Sequence, residues 1–80
     1  MVDVIFELTF RKDFKKIKSA SIKEKIVKQV SKIKNNPEIG KPMRLGRKGT
    51  RELHIPHFRL SYKIEGDTVY ILALYHKDGQ

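Results

Sequence analysis

From Arg51 onward the chain offers three runs of strand-forming residues separated by connections of only two residues, Pro56-His57 and Gly66-Asp67. Connections that short join antiparallel neighbours, because a parallel crossover needs a dozen residues or more. Arg51 to Ile55, Phe58 to Glu65 and Thr68 to about His76 are therefore expected to form a three-stranded antiparallel meander. Alternation assigns the faces: Leu53, Ile55, Phe58, Leu60, Tyr62 and Ile64 lie on one side, and Glu52, His54, Arg59, Ser61 and Lys63 on the other. The last segment, Val69 to Tyr75, is apolar on both faces, which suits a central place in the sheet.

The first half of the chain changes period. Val2, Val4, Phe6 and Leu8 alternate with Asp3, Ile5 and Glu7, as in a strand with one face buried. Phe10, Phe14 and Ile17 then recur at helical spacing, so a short helix is expected to about Lys18, with Thr9 as its cap. After a break at Ser19-Ala20, Ser21 and Glu24 fit a capping box, and Ile22, Ile26, Val27, Val30 and Ile33 trace an apolar stripe as far as Asn35, where Asn36-Pro37 stops the helix. Pro37 to Thr50, with three glycines and two prolines, reads as a loop. The expected fold is α+β: an N-terminal strand, a two-helix hairpin and the meander, the helices packed on one face of a small, mostly antiparallel four-stranded sheet. Eighty residues leave room for a single domain, 1–80.

Charge is uneven along this plan. Residues 11–51 carry 15 Lys/Arg against three acids, a net of +12, while residues 52–80 carry a net of −1, within a total of +9. Such a basic half attracts polyanions, and a soluble lysine-rich surface is the bland alternative. With no cysteine, disulfide scaffolds, thiolate metal sites and cysteine nucleophiles drop out. His54 and His76 have no third ligand at a standard spacing, so neither a metal nor a small-molecule cofactor is expected. The N-terminal stretch contains acids and lacks the pattern of a signal peptide, and no apolar run approaches the roughly 20 residues that span a bilayer, so the expectation is a cytoplasmic protein that makes no use of a membrane.

The chemistry is concentrated in the meander. Arg51-Glu52-Leu53-His54-Ile55, Phe58-Arg59-Leu60-Ser61-Tyr62 and Leu74-Tyr75-His76-Lys77-Asp78 supply two imidazoles, a guanidinium and an ammonium. Each also has a dull reading. Arg59 could pair with Glu52 across strands, His54 could be a histidine on a wet face, His57 is a turn residue, and Tyr62, Tyr70 and Tyr75 read as core or interface aromatics.

In their order and spacing, these motifs and the elements before them resemble the RelE/ParE superfamily of bacterial and archaeal toxins along essentially the whole chain. The likeness is to the RelE and YafQ branches, which implies a ribosome-dependent endoribonuclease that cuts messenger RNA and is held inactive by a cognate antitoxin with an acidic, partly disordered segment. It implies His54, Arg59, His76 and Lys77 as the catalytic set, although Glu52 stands where RelE has a lysine. Cleavage without metal needs a base for the 2′-hydroxyl, an anion ligand for the phosphate and an acid for the leaving 5′-oxygen. His76 is assigned as base, His54 as acid or orienter, Arg59 and Lys77 as phosphate ligands, and Lys41, Arg44, Arg47, Lys48 and Arg51 as the wider RNA-binding surface. Two alternatives stay open: a ParE-like inhibitor that poisons DNA gyrase by protein contact, and a basic nucleic-acid-binding module without catalysis.

Overall fold

The computed structural model describes residues 2–42 and 49–77. Strand β1 (Asp3–Phe6) leads into helices α1 (Leu8–Lys16) and α2 (Ala20–Asn35); a 3-10 turn (Pro37–Ile39) and a two-residue strand β2 (Lys41–Pro42) precede β3 (Thr50–Ile55), β4 (Phe58–Glu65) and β5 (Thr68–His76). The strands form one sheet in the order β1-β5-β4-β3-β2, with β1 parallel to β5 and the remaining pairs antiparallel. The meander and the central place of β5 are as expected.

Three local expectations are corrected. The sheet has five strands, not four, because the Gly/Pro segment returns alongside β3 for two residues, too short a stretch to leave an alternation in the sequence. Pro42 is tolerated there because an edge strand need not donate from every backbone nitrogen. Leu8 belongs to α1, whose N-cap is Glu7 without a side-chain cap bond, so Thr9 caps nothing. In α2 the cap is Ser19, which accepts from the Ile22 N–H at 3.2 Å, and Ser21 falls inside the first turn. Both serines suit a cap; an α1 that ends at Lys16 lets the chain turn early enough for Ser19 to take the role.

The core lies between the helices and one sheet face. Phe10, Ile26 and Ile33 meet Ile55, Leu60, Tyr62, Val69, Ile71 and Leu74, all nearly or fully inaccessible. Phe6, Phe10 and Phe14 stack in succession at 5.5 and 5.8 Å, tying β1 to α1, and the Lys23 ammonium sits 5.2 Å from the Phe14 ring, tying α1 to α2. Asp13 on α1 accepts from the Leu74 backbone N–H.

A register shift in β5 sets which of its side chains reach the open face of the sheet. Ser61 faces Ala73 but Tyr62 faces Ile71, so one extra residue is accommodated in β5 at this point. A strand without it would send residues 70 and 75 to opposite faces. The bulge brings Tyr70 and Tyr75 to the same face, away from the helices, while Val69, Ile71 and Leu74 all remain in the core.

Candidate active site

The sheet face that the helices leave open is built by cross-strand pairs. His54 lies directly opposite Arg59, and Arg59 opposite Tyr75; Glu52 is flanked by Ser61 on β4 and Lys41 on β2. Paired residues project to the same side of a sheet, so these strands deliver a carboxylate, an imidazole, a guanidinium and a phenol to one patch.

The groups contact one another. Arg59 Nη1 donates to Glu52 Oε1 at 2.9 Å and to His54 Nε2 at 2.8 Å. Glu52 Oε1 is also 3.5 Å from His54 Nε2, and Glu52 Oε2 accepts the Tyr75 hydroxyl. Arginine has only hydrogens to offer, so in this arrangement His54 Nε2 is an acceptor and the neutral ring carries its proton on Nδ1. His54 is solvent-exposed at 58% of its side chain, whereas the Glu52 side chain retains only 9%.

Burial pushes the Glu52 carboxyl up, but the hydrogen bonds from Tyr75 and Arg59 and the charge of Arg59, with the smallest share from His54 when its ring is protonated, outweigh it and hold the group below its ordinary value. Glu52 is therefore an anion held under the patch, and Arg59 presents its guanidinium above it. Arg59 Nε is buried without a hydrogen-bond partner among the described residues, so the bonds that orient the guanidinium run through Nη1.

The structure brings together some of the candidate residues and separates others. His54 and Arg59 meet, and Lys41 flanks Glu52 from the edge. His76 does not join them: it pairs with Phe58, stacks on that ring at 4.9 Å, and faces the helices, where it lines a hollow with Asp13, Ile22 and Leu74. Lys77 is exposed just past the end of β5, its backbone N–H bonded to the His57 carbonyl at 3.0 Å. Arg51 is on the core side of β3, and its Nη1 donates to the carbonyls of Glu38 and Gly40 at 3.1 and 2.7 Å, clamping the 3-10 turn. Arg44, Arg47 and Lys48 lie outside the described residues.

Tyr75 is the member that sequence reasoning misses. Its signal is faint, since simple alternation through an all-apolar strand does not reveal a bulge. Glu52 was expected on this face, but as a wet residue; three neighbours close over it and make it buried.

Two helices on one face of this sheet and a charged constellation on the other define a RelE-like toxin architecture, and solved structures agree. The chain is similar to the RelBE2 toxin–antitoxin complex from Mycobacterium tuberculosis (30% identity, TM-score 0.83, covering 95% of this chain and 98% of that one). It shares the fold of the isolated Escherichia coli RelE toxin (14% identity, TM-score 0.82, 100% and 88% covered) and of the RelB-RelE complex from Methanococcus jannaschii (20% identity, TM-score 0.75, 91% and 89% covered). No curated protein matches the chain at a significant level. Residues 4–80 match the family model described as ParE toxin of type II toxin–antitoxin system, parDE. The chain belongs to that family, and so to the RelE/ParE toxin superfamily.

Proposed function

We propose that this toxin cleaves messenger RNA on the ribosome, by attack of a 2′-hydroxyl on the adjacent phosphate. The observation that carries the reading is the 2.8 Å contact between His54 and Arg59 on an open sheet face, a proton acceptor beside a fixed cation. Arg59 takes the phosphate, with Lys41 adding charge from the neighbouring strand. His54 Nε2 accepts the proton of the 2′-hydroxyl in this reading, in place of His76; what supports the choice is that His54 touches Arg59 whereas His76 pairs with and stacks on Phe58 on the helix side of the sheet. In-line attack puts the leaving oxygen on the far side of phosphorus, and Lys77, two residues beyond Tyr75 at the same end of the sheet, is the cation to protonate it. The product expected is a 2′,3′-cyclic phosphate, formed without metal.

Primer extension on a translated message with purified ribosomes tests this. Cuts that appear with wild type and fade with Arg59→Ala support it. A second reading is favoured by the ParE description of the matching family: inhibition of gyrase by protein contact. Absence of cuts from folded protein, together with a loss of supercoiling by purified gyrase, would establish that one instead.

The partner we propose is an antitoxin whose acidic helix covers the groove between α1 and α2. This groove, of about 850 Å³, is lined by Phe6, Leu8, Phe14, Ile26, Val27 and Val30 and rimmed by Arg11, Lys12, Lys15 and Lys23. Leu8 and Val27 are more than half exposed there. An apolar floor with a cationic rim fits an amphipathic helix with acids along its flanks, and the M. tuberculosis and M. jannaschii relatives were both solved as complexes of toxin with antitoxin.

A further inference from the structure

We propose that Glu52 is the positioning residue of this site: its carboxylate holds the phosphate-binding Arg59 and stabilises the charged form of His54 during proton transfer. The inference rests on the RNA-cleaving reading above and adds to it a residue that touches no substrate.

Glu52 is the buried charged side chain among the described residues. A carboxylate taken out of water on an otherwise open face is costly unless every oxygen is satisfied. Here both are. Oε2 accepts the Tyr75 hydroxyl, which latches the carboxylate from β5, and Oε1 points at Arg59 Nη1 (2.9 Å) and His54 Nε2 (3.5 Å). One oxygen thus serves both reactive groups. A purely structural ion pair would need Arg59 alone.

The shared oxygen sets an order of events. In the free protein Arg59 donates to His54 Nε2 and occupies the lone pair that a base must use. When a phosphodiester draws the guanidinium toward itself, that lone pair is released. The 2′-hydroxyl proton then passes to Nε2, the 2′-oxygen bonds to phosphorus, and the bond from phosphorus to the 5′-oxygen breaks as that oxygen takes a proton from Lys77. The new N–H of the His54 imidazolium faces Glu52 Oε1, which becomes its acceptor. Phosphate binding thereby arms the base, and the buried anion favours its protonated form. The other groups facing the carboxylate are Arg59 on β4, Tyr75 on β5 and Lys41 in register on β2.

Glu52→Gln keeps the shape and an acceptor for Arg59 but removes the charge; Tyr75→Phe keeps the charge but removes the latch. The Arg59 side-chain N–H signals are followed by nitrogen-edited NMR in the free protein, and kcat, KM and the pH profile are measured on ribosome-bound message. In Glu52→Gln the Arg59 N–H protons should exchange with water roughly tenfold faster, through loss of the charged acceptor that holds Nη1. Its kcat should fall roughly tenfold or more with KM nearly unchanged, and the acid limb of the profile should move to lower pH. Tyr75→Phe should shift both in the same direction by less. Arg59 exchange and an acid limb that both stay at their wild-type values in folded Glu52→Gln overturn the proposal. If wild type cuts no RNA but Arg59 still exchanges faster in Glu52→Gln, the RNA-cleaving reading fails while the hold of Glu52 on Arg59 stands.

Discussion

The Tyr62 hydroxyl accepts the Gly40 backbone N–H at 2.8 Å and donates to the Pro37 carbonyl at 2.7 Å, so one core phenol ties down both ends of the 3-10 turn. The ring is fully buried, and burial raises its pKa despite the Gly40 hydrogen bond and the nearby charge of Arg51, so it remains a neutral donor at physiological pH. Gly40 comes so close that a Cβ there would lie 2.6 Å from the Tyr62 oxygen and 2.8 Å from a ring carbon. Gly40→Ala should therefore cost about 1–3 kcal/mol by overpacking. Tyr62→Phe should cost a similar roughly 1–3 kcal/mol by stranding two backbone groups. Urea unfolding of each variant checks both; a Gly40→Ala variant as stable as wild type would contradict the steric account.

Removing the partner of a buried charge should do more harm than removing the charge. Arg59→Ala leaves the Glu52 carboxylate buried beside Tyr75 and His54 without its cation, whereas Glu52→Gln leaves Arg59 with a neutral acceptor. The midpoint of urea unfolding at pH 7 should fall further for Arg59→Ala than for Glu52→Gln. The reverse order would show that the pair is held mainly by packing.

The depressed pKa of Glu52 makes stability depend on acid. Its folded value lies below the ordinary 4.5, so the unfolded chain takes up the proton first as pH falls. The contribution is complete above the ordinary carboxylate range and is lost as pH drops through the lower folded value. Wild-type protein should therefore lose stability more steeply than Glu52→Gln as the pH falls below about 5. Parallel stability curves for the two proteins through that acid range would remove the carboxylate from the account.

The two candidate caps of α2 are separable. Ser19→Ala deletes the side-chain bond to the Ile22 N–H and should cost about 1 kcal/mol, while Ser21→Ala, within the first turn, should change stability by less than about half of that. Thermal or urea unfolding of the pair decides which serine starts the helix.

The helix groove offers a surface test. Val27→Glu puts an anion on the exposed apolar floor, where the proposed acidic antitoxin helix must dock. Binding measured by calorimetry should weaken at least about tenfold, a loss of about 1.4 kcal/mol, with the circular dichroism spectrum unchanged. Wild-type affinity would place the antitoxin elsewhere.

The sequence by itself determined the number and order of the main helices and strands. Two-residue connections leave a meander no other arrangement, and the helical stripe through Ile26 and Ile33 buries one face only. It also determined that His54 and Arg59 share a face, because strand alternation is a property of the backbone. Tertiary structure decided what alternation cannot express. A bulge in β5 carries Tyr75 to that face and leaves His76 on the other, and three neighbours from three strands close over Glu52. Arg51, basic like the expected phosphate ligands, is consumed by two carbonyls of a turn that its own strand brings within reach. In each case the deciding contact crosses from one strand or turn to another, and its geometry is set by register and packing rather than by local preference.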